Sequence, residues 1–245
     1  MTDLDAIVAA GGPWARAERI GDCLLLQGDC REVMAVLPRV GAVVTDPPYG
    51  IGYVHSGIGG EKWHKAKKAP IIGDDQPFDP APLLSLGEAI IWGADHFKEK
   101  LPKGGRFLAW NKLGNLPPMG DSFCNVEFAW HSKKGKAEII SATWKGLIKS
   151  GCVENGSATF HPSQKPLKVM EWCLGFLPDA RTVLDPFAGS GTVAVACQRL
   201  GRQSISIELD ADYWAIMCRR VQEAVDNPPL FIPEVKKPVQ QGFEL

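Results

Sequence analysis

Residues 181–208 constrain the fold more than any other part of the chain. They read strand, glycine turn, helix, strand, with a carboxylate at the end. A strand over 181–185 ends in Asp185. Pro186-Phe187-Ala188-Gly189-Ser190-Gly191-Thr192 follows, then a helix through Leu200 with Val193, Ala194, Ala196, Cys197 and Leu200 on its apolar positions. Residues 203–208 form the next strand, and 210–225 another helix. A strand that returns beside its neighbour through a helix runs parallel to it, so this segment predicts an open α/β sheet. Glycines let the backbone approach a ligand closely, and a terminal acid such as Glu208 can accept from two ribose hydroxyls. Glu208 lies 17 residues past Gly191, near the ~20 expected of a nucleotide-binding unit. The third glycine of a pyrophosphate-binding turn is missing, which points to a nucleoside without a pyrophosphate. A Gly-Ser-Gly turn alone often serves packing. The flanking strand and helix, with Glu208 in place, favour the site.

A second strand, helix and strand come earlier. Leu24-Leu25-Leu26-Gln27 reads as a short buried strand that ends at Gly28-Asp29-Cys30. Asp29 suits the N-cap of a helix over 31–37, and Pro38 stops it. The strand 42–46 then runs into Thr45-Asp46-Pro47-Pro48-Tyr49-Gly50. Two prolines fix the backbone as it leaves the strand. In an open α/β sheet, ligands bind beyond the carboxyl ends of strands. A nucleobase amine is a poor nucleophile because its lone pair is delocalised into the ring. The Asp46 carboxylate and the Pro47 carbonyl can each take one N–H and turn the lone pair towards an electrophile. Tyr49 can stack on the base, worth roughly 1–3 kcal/mol. Alternatively, the prolines cap a strand and Tyr49 is core.

The rest of the chain adds surface and limits. Residues 50–80 are too long for an ordinary connection. They carry Lys62, Lys65, Lys67 and Lys68 beside Trp63 and His64, read as a phosphate-contacting lid rather than a plain solvated charge run. Strands are expected over 89–92, 106–110, 126–130 and 139–144, with a helix near 94–101. Lys133, Lys134 and Lys136 fall in 111–160, the least periodic stretch, where lysines and tryptophans alternate as nucleic-acid binders do. A helix over 166–177 follows His161-Pro162-Ser163-Gln164-Lys165-Pro166. Lys165 is out of place at a helix start, where the dipole disfavours cations, and it implies an anion nearby. Residues 1–20 read as a loose lead-in, 1–226 as one domain, and 227–245 as a proline-rich tail.

The chain has 245 residues, 45% hydrophobic and 22% charged, as a globular protein with a full core does. Net charge is −1, so nucleic-acid binding has to come from local patches. Seven cysteines lie scattered, without zinc-ligand spacing. Reduced, mostly buried thiols and no metal are expected. No apolar run approaches the ~20 residues of a membrane span, and the acidic start lacks a signal-peptide n-region. A cytoplasmic location is the expectation.

These motifs, in this order, resemble the β group of the S-adenosylmethionine-dependent amino methyltransferases of DNA, which include small phage and bacterial adenine-specific methylases. That family pairs Asp-Pro-Pro-Tyr with Phe-x-Gly-x-Gly. Here the first is Asp46–Tyr49, and Phe187 opens the second. The stretch from His161 to Pro166 and the Gly28-Asp29-Cys30 turn also match, so the likeness spans roughly residues 22–226. The resemblance implies a doubly wound, mostly parallel seven-stranded sheet with helices on both faces, circularly permuted so that the catalytic half leads. It implies S-adenosyl-L-methionine as cofactor and DNA as partner. Asp46, Pro47, Pro48 and Tyr49 would hold the target base. Asp29, Cys30, Asp46, Ser163, Lys165, Asp185, Pro186, Phe187, Ala188, Gly189, Ser190, Gly191, Thr192 and Glu208 would line the cofactor site. Within that set Glu208 would take the ribose, Asp29 the adenine amine, and Ser163 with Lys165 the carboxylate. Asp46 favours the N6 amine of adenine, since relatives acting on the N4 amine of cytosine more often carry Ser there. The alternatives are N4-cytosine methylation and an inactive cofactor-binding DNA-binding module. Only residues 131–160 remain for target recognition, so specificity is expected to be short or relaxed, or completed by a second subunit in a homodimer.

Overall fold

In a computed structural model of the chain, residues 3–52, 72–114, 116, 124–145, 148–149 and 164–229 are described. The first elements are α1 (Leu4–Ala10), β1 (Arg16–Ile20), β2 (Cys23–Gln27), α2 (Cys30–Val36) and β3 (Ala42–Thr45). Then come α3 (Ala81–Leu84), β4 (Glu88–Trp92), β5 (Arg106–Asn111), β6 (Val126–His131) and β7 (Glu138–Ser141). A small hairpin, β8 (Trp144–Lys145) and β9 (Ile148–Lys149), precedes α4 (Leu167–Gly175). The chain continues with β10 (Thr182–Asp185), α5 (Thr192–Arg199), β11 (Gln203–Glu208) and α6 (Ala211–Asp226).

Among the described residues one sheet holds nine strands in the order β1-β2-β11-β10-β3-β4-β6-β5-β7. From β2 to β4 every pairing is parallel. β1 and β6 run antiparallel to their neighbours. β2, β3 and β10 are buried on both faces, as parallel strands covered by helices must be. Alternate residues feed two cores. Ala42, Val44, Leu25 and Val183 pack under α4, α5 and α6, while Val43, Leu24, Leu26 and Leu184 pack under α1, α2 and α3.

The path leaves β10 through α5 to β11 on one side, and leaves β3 towards β4 on the other. The β3–β10 boundary is therefore the switch point, beyond whose carboxyl ends α/β sheets bind ligands. At the opposite edge three strands are stitched together. Arg106 Nε donates to His131 Nδ1 at 3.0 Å, and His131 Nε2 lies 2.6 Å from Glu88 Oε1.

Several expectations need correcting. The sheet has nine strands, not seven. The lead-in is ordered: Asp3 caps α1 by accepting from the Asp5 and Ala6 amides, and β1 is a charged edge strand on β2. The helix near 94–101 is only a 3₁₀ turn, Lys98–Lys100, because the segment bends at Gly93 (φ 74°) and meets Pro102 within one turn. The strand expected over 139–144 splits between β7 and β8. Helices do not cover both faces throughout, because Phe107, Phe128 and Ile139 stand exposed where β5, β6 and β7 extend past the last helix.

Candidate active site

All four residues of β3 are buried, and Asp46 is the first to emerge. The turn after it is held from inside. Asp74, itself buried, accepts from the Gly50 amide at 2.7 Å and the Ile51 amide at 3.3 Å. Gly50 has φ 78°, and a Cβ there would stand 2.5 Å from the Gln76 carbonyl, so only glycine fits. The Tyr49 ring lies where a side chain on Gly93 would be. It stacks on His96, with centroids 4.8 Å apart and planes 16° from parallel.

Both Asp46 oxygens are engaged. Tyr49 Oη donates to Oδ1 at 2.5 Å, and Lys165 Nζ donates to Oδ2 at 2.5 Å. Lys165 is buried and also donates to Tyr49 Oη at 3.2 Å. Its Nζ lies 3.1 Å from Glu127 Oε2, and Lys112 Nζ lies 2.6 Å from Glu127 Oε1. Two carboxylates and two ammonium groups thus alternate from β3 to the end of β5. Burial pushes the Asp46 carboxyl up, against the pull of Lys165. Burial acts against the Lys165 ammonium, yet Asp46 and Glu127 outweigh it and hold Lys165 well above its ordinary value. Burial also works against the Glu127 carboxylate, but Lys165 and Lys112 overcome it and bring Glu127 down to about 2. Burial raises the Tyr49 phenol well above its ordinary value, so it stays a neutral donor.

The second half of the site adjoins the first. Thr45 Oγ1 donates to Asp185 Oδ1 at 2.7 Å, joining the ends of β3 and β10. Burial pushes Asp185 up to about 7. Past Asp185, the Phe187 amide donates back to its carboxylate at 3.2 Å. Pro186 is buried in this turn, and Ala188 ties it to β11 by donating to the Ile207 carbonyl at 2.9 Å. Gly189 N donates to Glu208 Oε2 at 2.7 Å and Asp210 N to Oε1 at 2.8 Å, aiming that carboxylate along the glycine turn. Gly191 is left-handed (φ 81°), and a Cβ would meet Met217 at 2.6 Å. Arg220 enters from α6, buried, and donates to the Ser190 carbonyl at 2.6 Å, to Ser190 Oγ at 3.0 Å and to Thr192 Oγ1 at 3.3 Å. Asp29 caps α2 by accepting from the Arg31 amide at 2.9 Å. Its carboxylate also takes the Arg31 guanidinium, which holds Asp29 below the ordinary carboxylate range. Cys30 opens α2, and burial raises its thiol to about 11. Gly28 N donates to the Glu208 carbonyl at 3.0 Å, so Asp29 and Glu208 leave adjacent strands together.

The structure thus gathers Asp46, Tyr49, Lys165, Asp185, the glycine turn, Glu208 and Asp29 at one sheet edge. It does not gather Lys133, Lys134 and Lys136. They follow β6, which runs antiparallel to β4, and so lie at the opposite edge, where Lys133 Nζ is 4.0 Å from Glu88 Oε2. Lys62, Lys65, Lys67, Lys68 and Ser163 lie outside the described residues. Glu127, Lys112, Asp74, His96 and Arg220 are site residues that the sequence reading missed. Arg220 had a signal, a cation on the same helix stripe as Met217 and Val221. Glu127 had none, since a lone acid in a strand reads as solvent-facing. Among the described residues no group of three metal-ligating side chains occurs, and no helix is long and apolar enough to cross a membrane.

The family described as DNA methylase matches residues 98–219. The Type II methyltransferase M.ScaI of Streptomyces caespitosus is 26% identical over 251 residues, covering 82% of each chain. The Type II methyltransferase M.HinfI of Haemophilus influenzae is 28% identical, covering 90% of this chain and 76% of the relative. In fold, the chain resembles the PvuII DNA methyltransferase (cytosine-N4-specific), with a TM-score of 0.55 at 17% identity over 84% of this chain and 89% of that one. The family match runs over residues 98–219 and these relatives each cover more than four fifths of the chain: the chain belongs to the DNA methylase family of amino-methyltransferases.

Proposed function

We propose that this chain transfers a methyl group from S-adenosyl-L-methionine to the N6 amine of adenine in DNA, from a permuted fold whose catalytic half leads. One observation carries the reading. A carboxylate at the end of β3, Asp46, stands one strand from a nucleoside-type turn, with Thr45 hydrogen-bonded across to Asp185. The residues fit that cofactor. Glu208 is anchored through one contact on each oxygen, leaving lone pairs for a ribose diol. Asp29 offers a second acceptor on the neighbouring strand, and no phosphate-binding cation stands at the glycine turn among the described residues, since Arg220 is turned onto Ser190 and Thr192. When bound, the sulfonium supplies a methyl group electrophilic enough to need neither metal nor covalent enzyme intermediate.

The chain's own residues then do the positioning. Asp46 and the Pro47 carbonyl each accept one N–H of the target amine, freeing its lone pair from the ring. Asp46 is the nearest base for the proton that the amine sheds on methylation, and its burial raises its proton affinity for that step. The Tyr49 ring offers the stacking surface, and Pro48 keeps the turn stiff. The base leaves its stack at a cost of a few kcal/mol. An aspartate at position 46, rather than serine, favours adenine over cytosine. We also propose that two copies act together, because the segment available for gripping a duplex is short against the roughly 1,000–2,500 Å² that specific protein–DNA interfaces bury.

The experiment is digestion of duplex DNA after incubation with the protein and cofactor, followed by mass spectrometry of the nucleosides. N6-methyladenine is expected. N4-methylcytosine instead would move the target to the other amine, and neither product would leave a cofactor-binding module without activity.

A further inference from the structure

We infer that Glu127 and Lys112 are positioning residues of the methyl-transfer site, acting through Lys165 to set the charge and orientation of the Asp46 carboxylate. The inference rests on Asp46 being the amine acceptor proposed above. Glu127 sits on β6 opposite Trp110, and Lys112 lies just past the end of β5. The backbone closes this corner, with Lys112 N donating to the Asn125 carbonyl at 2.8 Å. β5 runs in the same direction as β3 and β4, so its carboxyl end opens on the same edge as Asp46. The order along the network is Asp46, Lys165, Glu127, Lys112, with separations of 2.5, 3.1 and 2.6 Å. The Asp46 end is 17% exposed, Lys165 only 5%, and Glu127 and Lys112 24% and 19%.

A buried lysine facing one carboxylate would be a simple ion pair. Here two carboxylates share it. Lys165 is drawn onto Asp46 from one side and held by Glu127 from the other, so it cannot swing away and take Asp46 with it. Removing one member of a buried charged set leaves the others uncompensated. The unpartnered charge therefore acts on Asp46, the group whose ionisation the amine requires. The two positions should act in opposite senses. Glu127 contributes a negative charge that disfavours the ionised Asp46, and Lys112 a positive charge that offsets it.

Other titratable groups face this cluster. Tyr49 donates to Asp46, and Asp185 lies beyond Thr45 on β10. His96, beside Asp95, stacks on Tyr49. All of these are left unchanged in the variants below.

The test compares the pH dependence of methylation in wild type, Glu127→Gln, Lys112→Gln and the double variant, with cofactor affinity measured by calorimetry. Turnover in both single variants should fall by about tenfold at saturating cofactor, with cofactor affinity near wild type. The acid limb should move to lower pH in Glu127→Gln and to higher pH in Lys112→Gln, each by about half a pH unit or more. The double variant should return towards wild type, since coupled charges are not additive. Shifts of the same sign, or lower activity with an unmoved acid limb, would overturn the inference and leave a packing role. Carboxyl-carbon NMR titration of Asp46 in the same four proteins reads the same opposed shifts without turnover. The inference is therefore decided even if wild type forms no N6-methyladenine, a result that would count against the adenine reading alone.

Discussion

Lys165 occupies a position where a helix disfavours a cation: one residue before Pro166, the N-cap of α4, which has no side-chain cap. The sequence shows the anomaly and asks for an anion, and the structure supplies two from the protein itself, Asp46 and Glu127. Asp46 was legible because prolines and an aromatic ring frame it. Glu127 was not, because nothing in the chain around it marks a strand acid whose partners come from elsewhere in the sequence. Replacing Asp46 by Ala should abolish methyl transfer while leaving cofactor affinity nearly intact, since the glycine turn and Glu208 lie on other strands. Calorimetry showing affinity lost together with activity would end that division of labour. Glu208→Ala should weaken cofactor binding by about tenfold or more, the size of a charge-assisted hydrogen bond of roughly 1.5–3 kcal/mol, and an unchanged dissociation constant would remove Glu208 from the ribose. Asp185 makes a prediction about stability. Burial raises it from 3.8 to about 7, so the folded state holds its proton over a range where the unfolded chain has lost it. That contribution to stability is complete below the unfolded value and disappears as pH rises through about 7. Asp185→Asn should therefore flatten the pH dependence of the urea midpoint between pH 5 and 8 relative to wild type. An identical slope in both proteins would mean that Asp185 ionises freely.

The elements with strong apolar periods or continuous apolar runs, β2, β3, β4, β10, β11 and α4 to α6, can be read from the sequence to within a residue or two. Those that cannot are of a different kind. α1 is seven residues long and buries only Leu4, too little for a period to show. β1 is charged because it is an edge strand, and β7 alternates half-buried Glu138 and Ile140 with exposed Ile139 and Ser141 on a sheet covered on one face only. In the site, the glycine turn needs α6 as much as its own glycines. Arg220 supplies donors to both the backbone and the side chains of that turn, so Arg220→Met should leave the Ser190 carbonyl without a strong donor, at a cost of about 1–3 kcal/mol. A lower melting temperature together with weaker cofactor binding is the expected result. A lower melting temperature with unchanged cofactor affinity would show that the turn holds its shape without α6.

At the scale of the molecule, the parallel centre of the sheet follows from the alternation of strands and helices, and the extra strands are additions at its two margins, β1 at one and β7 at the other. The proposed second copy is read most directly in solution. Light scattering at micromolar protein should give twice the mass of one chain, and the mass of a single chain with and without cofactor would leave each molecule to grip DNA alone. The position of β3 has a further consequence, for synthesis. In the finished sheet β3 lies between β10 and β4, and β2 lies between β1 and β11. Two early strands therefore wait for partners made late. Lys165 follows Asp46 by 119 residues, on the order of ten seconds of ribosomal elongation. Until the last third of the polypeptide emerges, β2 and β3 each have an open edge, and the turn from Asp46 to Tyr49 has neither its lysine nor its glycine neighbour. A nascent chain therefore lacks the assembled site, and its two open strand edges stay available for wrong pairing until β10 and β11 are made.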